Sequence, residues 1–383
     1  MRKICVVVGS RANYSSIKSV MSAIQEHPEL TLQTVVGASA VLDRYGEVSN
    51  LIEKDGFFID EKFFMLLEGE TPVTMAKSTG LGLVELTSIF DRLRPDFVVT
   101  VGDRFETMSA TLAAAYMNIR LVHTMGGEVT GTIDESIRHA TTKFAHVHFP
   151  SSEDAKQRII KLGEDPDTVF NYGCPRMDLV KKEIENTHEP IFDELAQMGV
   201  GDQINFSKPF LLVSQHPVTT EYGDGESQIR ATLEAVIQSG MQAIVLWPNA
   251  DAGSYEISRG IRKFRESGES VKLRFFKNLP IATYVHLMNQ TACLVGNSSS
   301  GIREGAFLGT PVVNIGTRQN KRERANNVLD ADHHSDSILA AIKKQVEHGK
   351  FSQSTLYGDG STGAKIAELL SKIEVPVQKV IYY

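Results

Sequence analysis

Ile4-Cys5-Val6-Val7-Val8-Gly9-Ser10-Arg11-Ala12-Asn13-Tyr14-Ser15-Ser16-Ile17 joins a β-branched apolar run to a small-residue turn and then to helix-compatible sequence. Gly9-Ser10-Arg11 ends the run far short of the roughly 18 apolar residues of a membrane span, and too early for a signal peptide. It reads as a buried strand entering a helix. Similar runs recur at intervals that leave room for a helix: Leu32 to Val36, Phe97 to Val101, Arg120 to His123 and Val147 to Phe149. A second series follows: Phe210 to Ser214, Ala243 to Trp247, Leu273 to Phe276, Cys293 to Gly296 and Val312 to Ile315. Strands alternating with helices mean βαβ units. The expected fold class is therefore α/β, with two Rossmann-like doubly wound domains facing a cleft.

A polar stretch from about Lys181 to Lys208 separates the two series and shows no strand pattern, so it reads as the linker. The domains are accordingly placed at 1–185 and 205–358. The spacing of Ala364, Ile366, Leu369, Leu370 and Ile373 predicts a closing helix, with 360–383 expected to pack back on the first domain. The 383 residues carry 40 Lys+Arg against 47 Asp+Glu, a net charge of −7, and are 42% hydrophobic. That composition suits a cytoplasmic globular protein with a large core, and without a concentrated basic face it argues against nucleic acid as a partner. Cys5, Cys174 and Cys293 are odd in number and widely spaced, so inert thiols are expected rather than disulfides or a zinc site. No metal, cofactor or membrane partner is expected.

In open parallel sheets ligands sit beyond the carboxyl ends of the strands, so the loops after the strands hold the candidates. Gly9-Ser10-Arg11 leaves backbone amides beside a forked cation; a plain strand-to-helix turn is about as good a reading. Val101-Gly102-Asp103-Arg104-Phe105-Glu106 sets a carboxylate beside a guanidinium, although Asp103 also suits a helix N-cap. The densest loop, His123 to His139, holds Gly126, Gly127, Glu128, Asp134 and Arg138. Its two glycines allow close backbone approach to a ligand, and Asp134 is also a plausible helix-start acid. Ser214-Gln215-His216-Pro217 ends a strand on a histidine suited to a phosphate or a proton. Trp247, the only tryptophan, reads as a packing residue ahead of Pro248-Asn249. Gly296-Asn297-Ser298-Ser299-Ser300-Gly301-Ile302-Arg303-Glu304 reads as an anion cradle at a helix N-terminus, suited to a diphosphate, with Glu304 one turn in and able to accept ribose hydroxyls. Arg318 adds a cation at the same edge.

Taken together, GSRANYSSIK (9–18), VGDRFE (101–106), GGEVTGTIDESIRHATTKFAH (126–146), SQHPVTTE (214–221), WPNADAGS (247–254) and GNSSSGIREGAFLGTPVVNIGTRQ (296–319) resemble the hydrolysing UDP-N-acetylglucosamine 2-epimerases. The resemblance spans nearly the whole chain and is similar to both bacterial NeuC-type enzymes and the epimerase half of the bifunctional animal enzyme. It implies a glycosyltransferase-B-like fold, no cofactor, and a homodimer or homotetramer. Arg11, Ser15, Arg104, His216, Asn249, Leu279, Ser298, Ser299, Glu304 and Arg318 would line the UDP-sugar site, and Asp103, Glu128, Asp134 and His216 would be the catalytic set. Met125 departs from the pattern: the non-hydrolysing branch, and some hydrolysing members, have a glutamate there. The resemblance also places Arg259 and Arg262 where the animal enzyme binds CMP-sialate, although a solvated helix face is the plainer reading.

The implied reaction converts UDP-N-acetylglucosamine and water to N-acetylmannosamine and UDP, the first step towards sialic-acid-type sugars. It runs through anti-elimination to 2-acetamidoglucal, then hydration. UDP-2,4-diacetamido-trideoxyglucose or GDP-N-acetylglucosamine as substrate, and non-hydrolysing epimerisation, are the alternatives. Crowding of Asp103, Glu128 and Asp134 is expected to lift at least one of them above the usual carboxylate range.

Overall fold

Unbroken apolar runs become the centres of two parallel sheets. The computed structural model describes residues 1–43, 47–68, 71–129, 133–186, 195, 197–218, 221–248, 253–268, 271–277 and 279–383. The chain divides into one unit of Met1–Leu179 with Gly358–Tyr383, and another of Val180–Tyr357.

In the first unit the elements run β1 (Arg2–Val8), α1 (Arg11–Glu26), β2 (Leu30–Gly37), α2 (Val48–Lys54), β3 (Glu61–Phe63), α3 (Pro72–Leu93), β4 (Phe97–Val101), α4 (Phe105–Tyr116), β5 (Arg120–Thr124), α5 (Ile133–Phe144), β6 (Val147–Phe149) and α6 (Glu153–Lys161). The sheet order is β3-β2-β1-β4-β5-β6, with every pairing parallel. Every residue of β4 and β6 is buried, as expected for strands covered on both faces by helices. Helix α7 (Arg176–Glu185) contains the division between the units.

The second unit holds β7 (Val200–Gly201), β8 (Phe210–Ser214), α8 (Gly225–Gln238), β9 (Gln242–Leu246), α9 (Ser254–Glu266), β10 (Leu273–Phe276), α10 (Ile281–Gln290), β11 (Cys293–Gly296), α11 (Ser299–Ile302), α12 (Glu304–Leu308), β12 (Val312–Ile315), β13 (Val328–Ala331) and α13 (Ser335–His348). Its order is β13-β12-β11-β8-β9-β10-β7, parallel except where β7 runs antiparallel to β10. Trp247 packs against this core.

The closing helix, α14 (Thr362–Lys372), joins the first unit's core through Ile366, Ala367 and Leu370, beside Ile17, Val20, Met21 and Ile24 of α1. Burial of each large apolar side chain contributes about 1.5–3 kcal/mol. Arg2 Nη1 donates to the carbonyls of Leu370 and Ile373 at 2.8 Å each, closing the helix's last turn from β1.

Two expectations change. The polar stretch 181–208 is not all linker: α7 runs into it to Glu185, and Val200–Gly201 adds a strand. The sequence reading also missed β3, β7 and β13, all sheet edges. Edge strands need little apolar surface; β7 is two exposed residues, and β13 is half-buried. The three cysteines are free and buried, and burial pushes the Cys5 and Cys293 thiols up.

Candidate functional site

In the first unit the strand ends are tied together by side chains. Ser10 caps α1 by accepting from the Asn13 amide at 3.2 Å. Asn13 in turn accepts from the Gly9 amide and donates to the Val101 carbonyl at 3.3 Å, so the β1 loop is pinned to the end of β4. Arg11 is exposed at the first position of α1. Ser15 donates to the Ala12 carbonyl and accepts from Arg176, a partner that sequence spacing does not reveal.

Asp103 is not a helix cap. The cap position of α4 is Arg104, without a side-chain capping bond, and Asp103 instead pairs with Arg138. Arg138 is 2% exposed and Asp103 24%. Arg138 also donates to the Glu128 carbonyl at 2.7 Å, so one buried guanidinium holds the residues after β4 and β5. Asp134 stands in the first turn of α5, four residues before Arg138 and therefore on the same helix face. Asp103 thus has a cation against it, and acid crowding is not the only field it feels.

Glu106 is a further acid that the sequence reading left unassigned. It is 3% exposed, and its Oε1 accepts from Arg104 Nε at 3.1 Å. Its Oε2 has no hydrogen-bond partner among the described residues. Burial pushes its carboxyl up; Arg104 opposes the shift and the charge of Asp134 adds to it. Its side chain fills the space a Cβ on Gly9 would take. A buried glutamate in an exposed-looking DRFE string has no sequence signal, because burial is decided by the neighbouring strand.

His123 is fully buried, with Nε2 2.7 Å from the Gly102 carbonyl and Nδ1 3.2 Å from Thr142 Oγ1. Burial holds its pKa down at about 4, so it is a neutral structural ring at pH 7. Gly126 and Gly127 are each required by packing. Gly127 has φ +76°, and a Cβ there would strike the Ala155 carbonyl of α6, while one on Gly126 would crowd the His123 ring. Met125, at φ +62°, packs against the core.

In the second unit His216 and the serine loop are joined through Asn297. Asn297 Oδ1 accepts from the His216 amide at 2.7 Å, and Nδ2 donates to the His216 carbonyl at 2.8 Å. Gly296, at φ +136°, makes this approach possible, since a Cβ would strike the Ser214 carbonyl. Arg318 Nη1 donates to the Asn297 carbonyl at 3.2 Å, and Gln319 Nε2 does so at 2.9 Å. His216 is 7% exposed; burial, then the charge of Arg318, holds its pKa down at about 3, so its ring is neutral at pH 7.

The helix after the serine loop differs from expectation. It breaks at Arg303 into a piece of four residues and a piece of five, so no long dipole points at the loop. The loop presents hydroxyls instead: Ser298 caps the short α11, with Ser299 its first residue. Glu304 opens α12 and is 5% exposed. Leu279 lies half-buried just before α10, and Asn249 lies outside the described residues. Arg259 pairs with Glu226 at 2.5 Å and, with Arg262, lies over Tyr255. Among the described residues no group of His, Cys, Asp and Glu is arranged to hold a metal, and no helix is long and apolar enough to cross a membrane.

The chain matches the family described as UDP-N-acetylglucosamine 2-epimerase over residues 22–371. It is 33% identical over 378 residues, 99% of this chain and 98% of the relative, to the hydrolysing UDP-N,N'-diacetylbacillosamine 2-epimerase of Legionella pneumophila. It is 27% identical over 376 residues, 98% and 96% of the two chains, to the UDP-N-acetylglucosamine 2-epimerase of Neisseria meningitidis. The crystal structure of UDP-GlcNAc 2-epimerase from Neisseria meningitidis bound to UDP-GlcNAc superposes with a TM-score of 0.81 over 96% of this chain and 99% of that one, at 18% identity. Two parallel-sheet α/β units thus follow a shared plan, and the chain belongs to the UDP-N-acetylglucosamine 2-epimerase family.

Proposed function

We propose that this enzyme is a hydrolysing 2-epimerase that converts UDP-N-acetylglucosamine and water to N-acetylmannosamine and UDP. The observation that carries the reading is the buried Arg138, which ties Asp103 to the Glu128 backbone with Asp134 on its own helix face. In this reading C1–O cleavage leaves the bonding pair on UDP, and the oxocarbenium-like sugar surrenders its C2 proton to one of those carboxylates. The resulting 2-acetamidoglucal takes water at C1 and a proton on the opposite face of C2. Net oxidation state is unchanged, so no redox partner enters the balance. Ser298, Ser299, Arg11, Arg104 and Arg318 would hold the diphosphate; neutral His216 would offer it one N–H, Glu304 the ribose hydroxyls, and Ser15, Leu279 and Asn249 the remaining contacts. Met125, which cannot carry a proton, supports hydrolysis over the non-hydrolysing route.

A second reading, hydrolysis of a UDP-linked 2,4-diacetamido-trideoxy sugar, is favoured by the name of the Legionella relative and by that of a Campylobacter jejuni relative, a GDP/UDP-N,N'-diacetylbacillosamine 2-epimerase at 33% identity. The exposed Val73, Leu81 and Val84 on α3 support association into a homodimer or homotetramer, and a cytoplasmic location suits the substrate. Parallel incubations with UDP-N-acetylglucosamine and with the UDP-linked diacetamido sugar in deuterated water, followed by product separation, test the proposal. Free N-acetylmannosamine deuterated at C2, plus UDP, is expected. UDP-N-acetylmannosamine would shift the assignment to the non-hydrolysing reaction, and turnover of the diacetamido sugar alone to the second reading.

A further inference from the structure

We infer that Tyr284 is a positioning residue for the diphosphate: its phenol orders a file of hydroxyls so that Ser298 presents its O–H outward to the departing nucleotide's phosphate. The inference rests on reading the Ser298 loop as the diphosphate site. Tyr284 lies on α10, remote in sequence from that loop, and its Oη is 2.7 Å from Ser300 Oγ. Ser300 Oγ is 2.7 Å from Ser298 Oγ, which also accepts the Ser300 amide at 3.4 Å.

The direction of the file follows from what each group can give. A hydroxyl has one hydrogen to donate and two lone pairs to accept with. A phenol donates better than an aliphatic hydroxyl and accepts less well, because its lone pair is shared with the ring. Burial pushes the Tyr284 phenol up, so it keeps its hydrogen at neutral pH. In the inferred order Tyr284 donates to Ser300, and Ser300 turns its own hydrogen to Ser298. With the Ser300 amide already on it, Ser298 Oγ has both acceptor positions filled, and its hydrogen is left for an acceptor outside the file.

Ser214, at the end of β8, adjoins the phenol end: it shares the phenol's hydrogen-bonding surroundings with Ser300 and Ser298, and its hydroxyl is 3.5 Å from His216 Nε2. Without the phenol, Ser300 can reverse and accept from Ser298, drawing that hydrogen inward. The serine run thus acts as an oriented donor, prepared before binding, instead of a flexible polar loop.

The test uses the full chain with UDP and uridine as probes, their affinities measured by calorimetry or ligand-observed NMR for the wild type, Tyr284→Phe, Ser298→Ala and the double variant. One neutral hydrogen bond predicts that Tyr284→Phe raises the UDP Kd by about three- to tenfold and leaves the uridine Kd within about twofold. In the Ser298→Ala background Tyr284→Phe should add nothing further. Unchanged UDP affinity, equal loss for UDP and uridine, or additive penalties would overturn the inference. A wild type that binds uridine but gains nothing from the diphosphate would refute the underlying site reading instead. If Tyr284→Phe does not fold, Ser300→Ala breaks the same file at its middle and is held to the same outcomes.

Discussion

Replacing Arg138 with methionine removes the charge and both sets of donors while keeping most of the side chain's bulk. Loss of one member of a fully buried pair costs about 3–5 kcal/mol. Asp103, however, is 24% exposed, so water recovers part of that, leaving about 2 kcal/mol. The Glu128 carbonyl, which accepts from Nη1 at 2.7 Å in a buried setting, adds about 1–2 kcal/mol. The total, about 3–4 kcal/mol, should lower Tm by about 6–16 °C for a unit of this size. Scanning calorimetry of Arg138→Met measures it directly. Adding Asp103→Asn should recover about half of the loss, because it removes the uncompensated charge. A single variant that melts within about 2 °C of the wild type, or a double variant with fully additive losses, would show that Arg138 does not hold this cluster together.

Two further predictions concern the acids and the buried rings. Asp134→Asn should abolish turnover while UDP affinity stays within a few-fold; loss of UDP binding would assign Asp134 a purely structural role. His123 remains neutral in the fold down to about pH 4, whereas the unfolded chain takes up that proton near pH 6.5. Stability should therefore fall as pH drops through this window and level off below it, by about 3 kcal/mol from this ring. Urea titrations at pH 7 and pH 4.5 should show a smaller decline for His123→Gln, which can still donate to the Gly102 carbonyl; equal declines would remove His123 as the cause.

Strand-forming runs such as Phe97–Val101 and Phe210–Ser214 were legible because a strand buried on both faces must be apolar throughout. The edge strands were not, since a two-residue exposed pairing leaves no pattern to detect. Ser298, His216 and Asp103 stood out in the sequence as candidates because they follow the carboxyl ends of apolar strand runs, where ligands of open parallel sheets sit. Arg138, Glu106 and Tyr284 did not. Each sits in an ordinary helical context; Arg138 and Tyr284 meet partners brought close by the fold, and Glu106 is buried by the loop at Gly9.

The sequence by itself determined the alternation of strands and helices, the position of the closing helix and the polar loops at the strand ends, because these depend on local polarity and periodicity. Tertiary structure decided which polar groups are buried and whom they meet: Arg138 with Asp103, Glu106 with Arg104, Tyr284 with Ser300. The physical reason is that removal from water requires each such group to find a specific partner. Arg138 meets Asp103, and Tyr284 meets Ser300, across different elements that only the packed sheets and helices bring together, while Glu106, paired two residues away with Arg104, owes its burial to the β1 loop at Gly9.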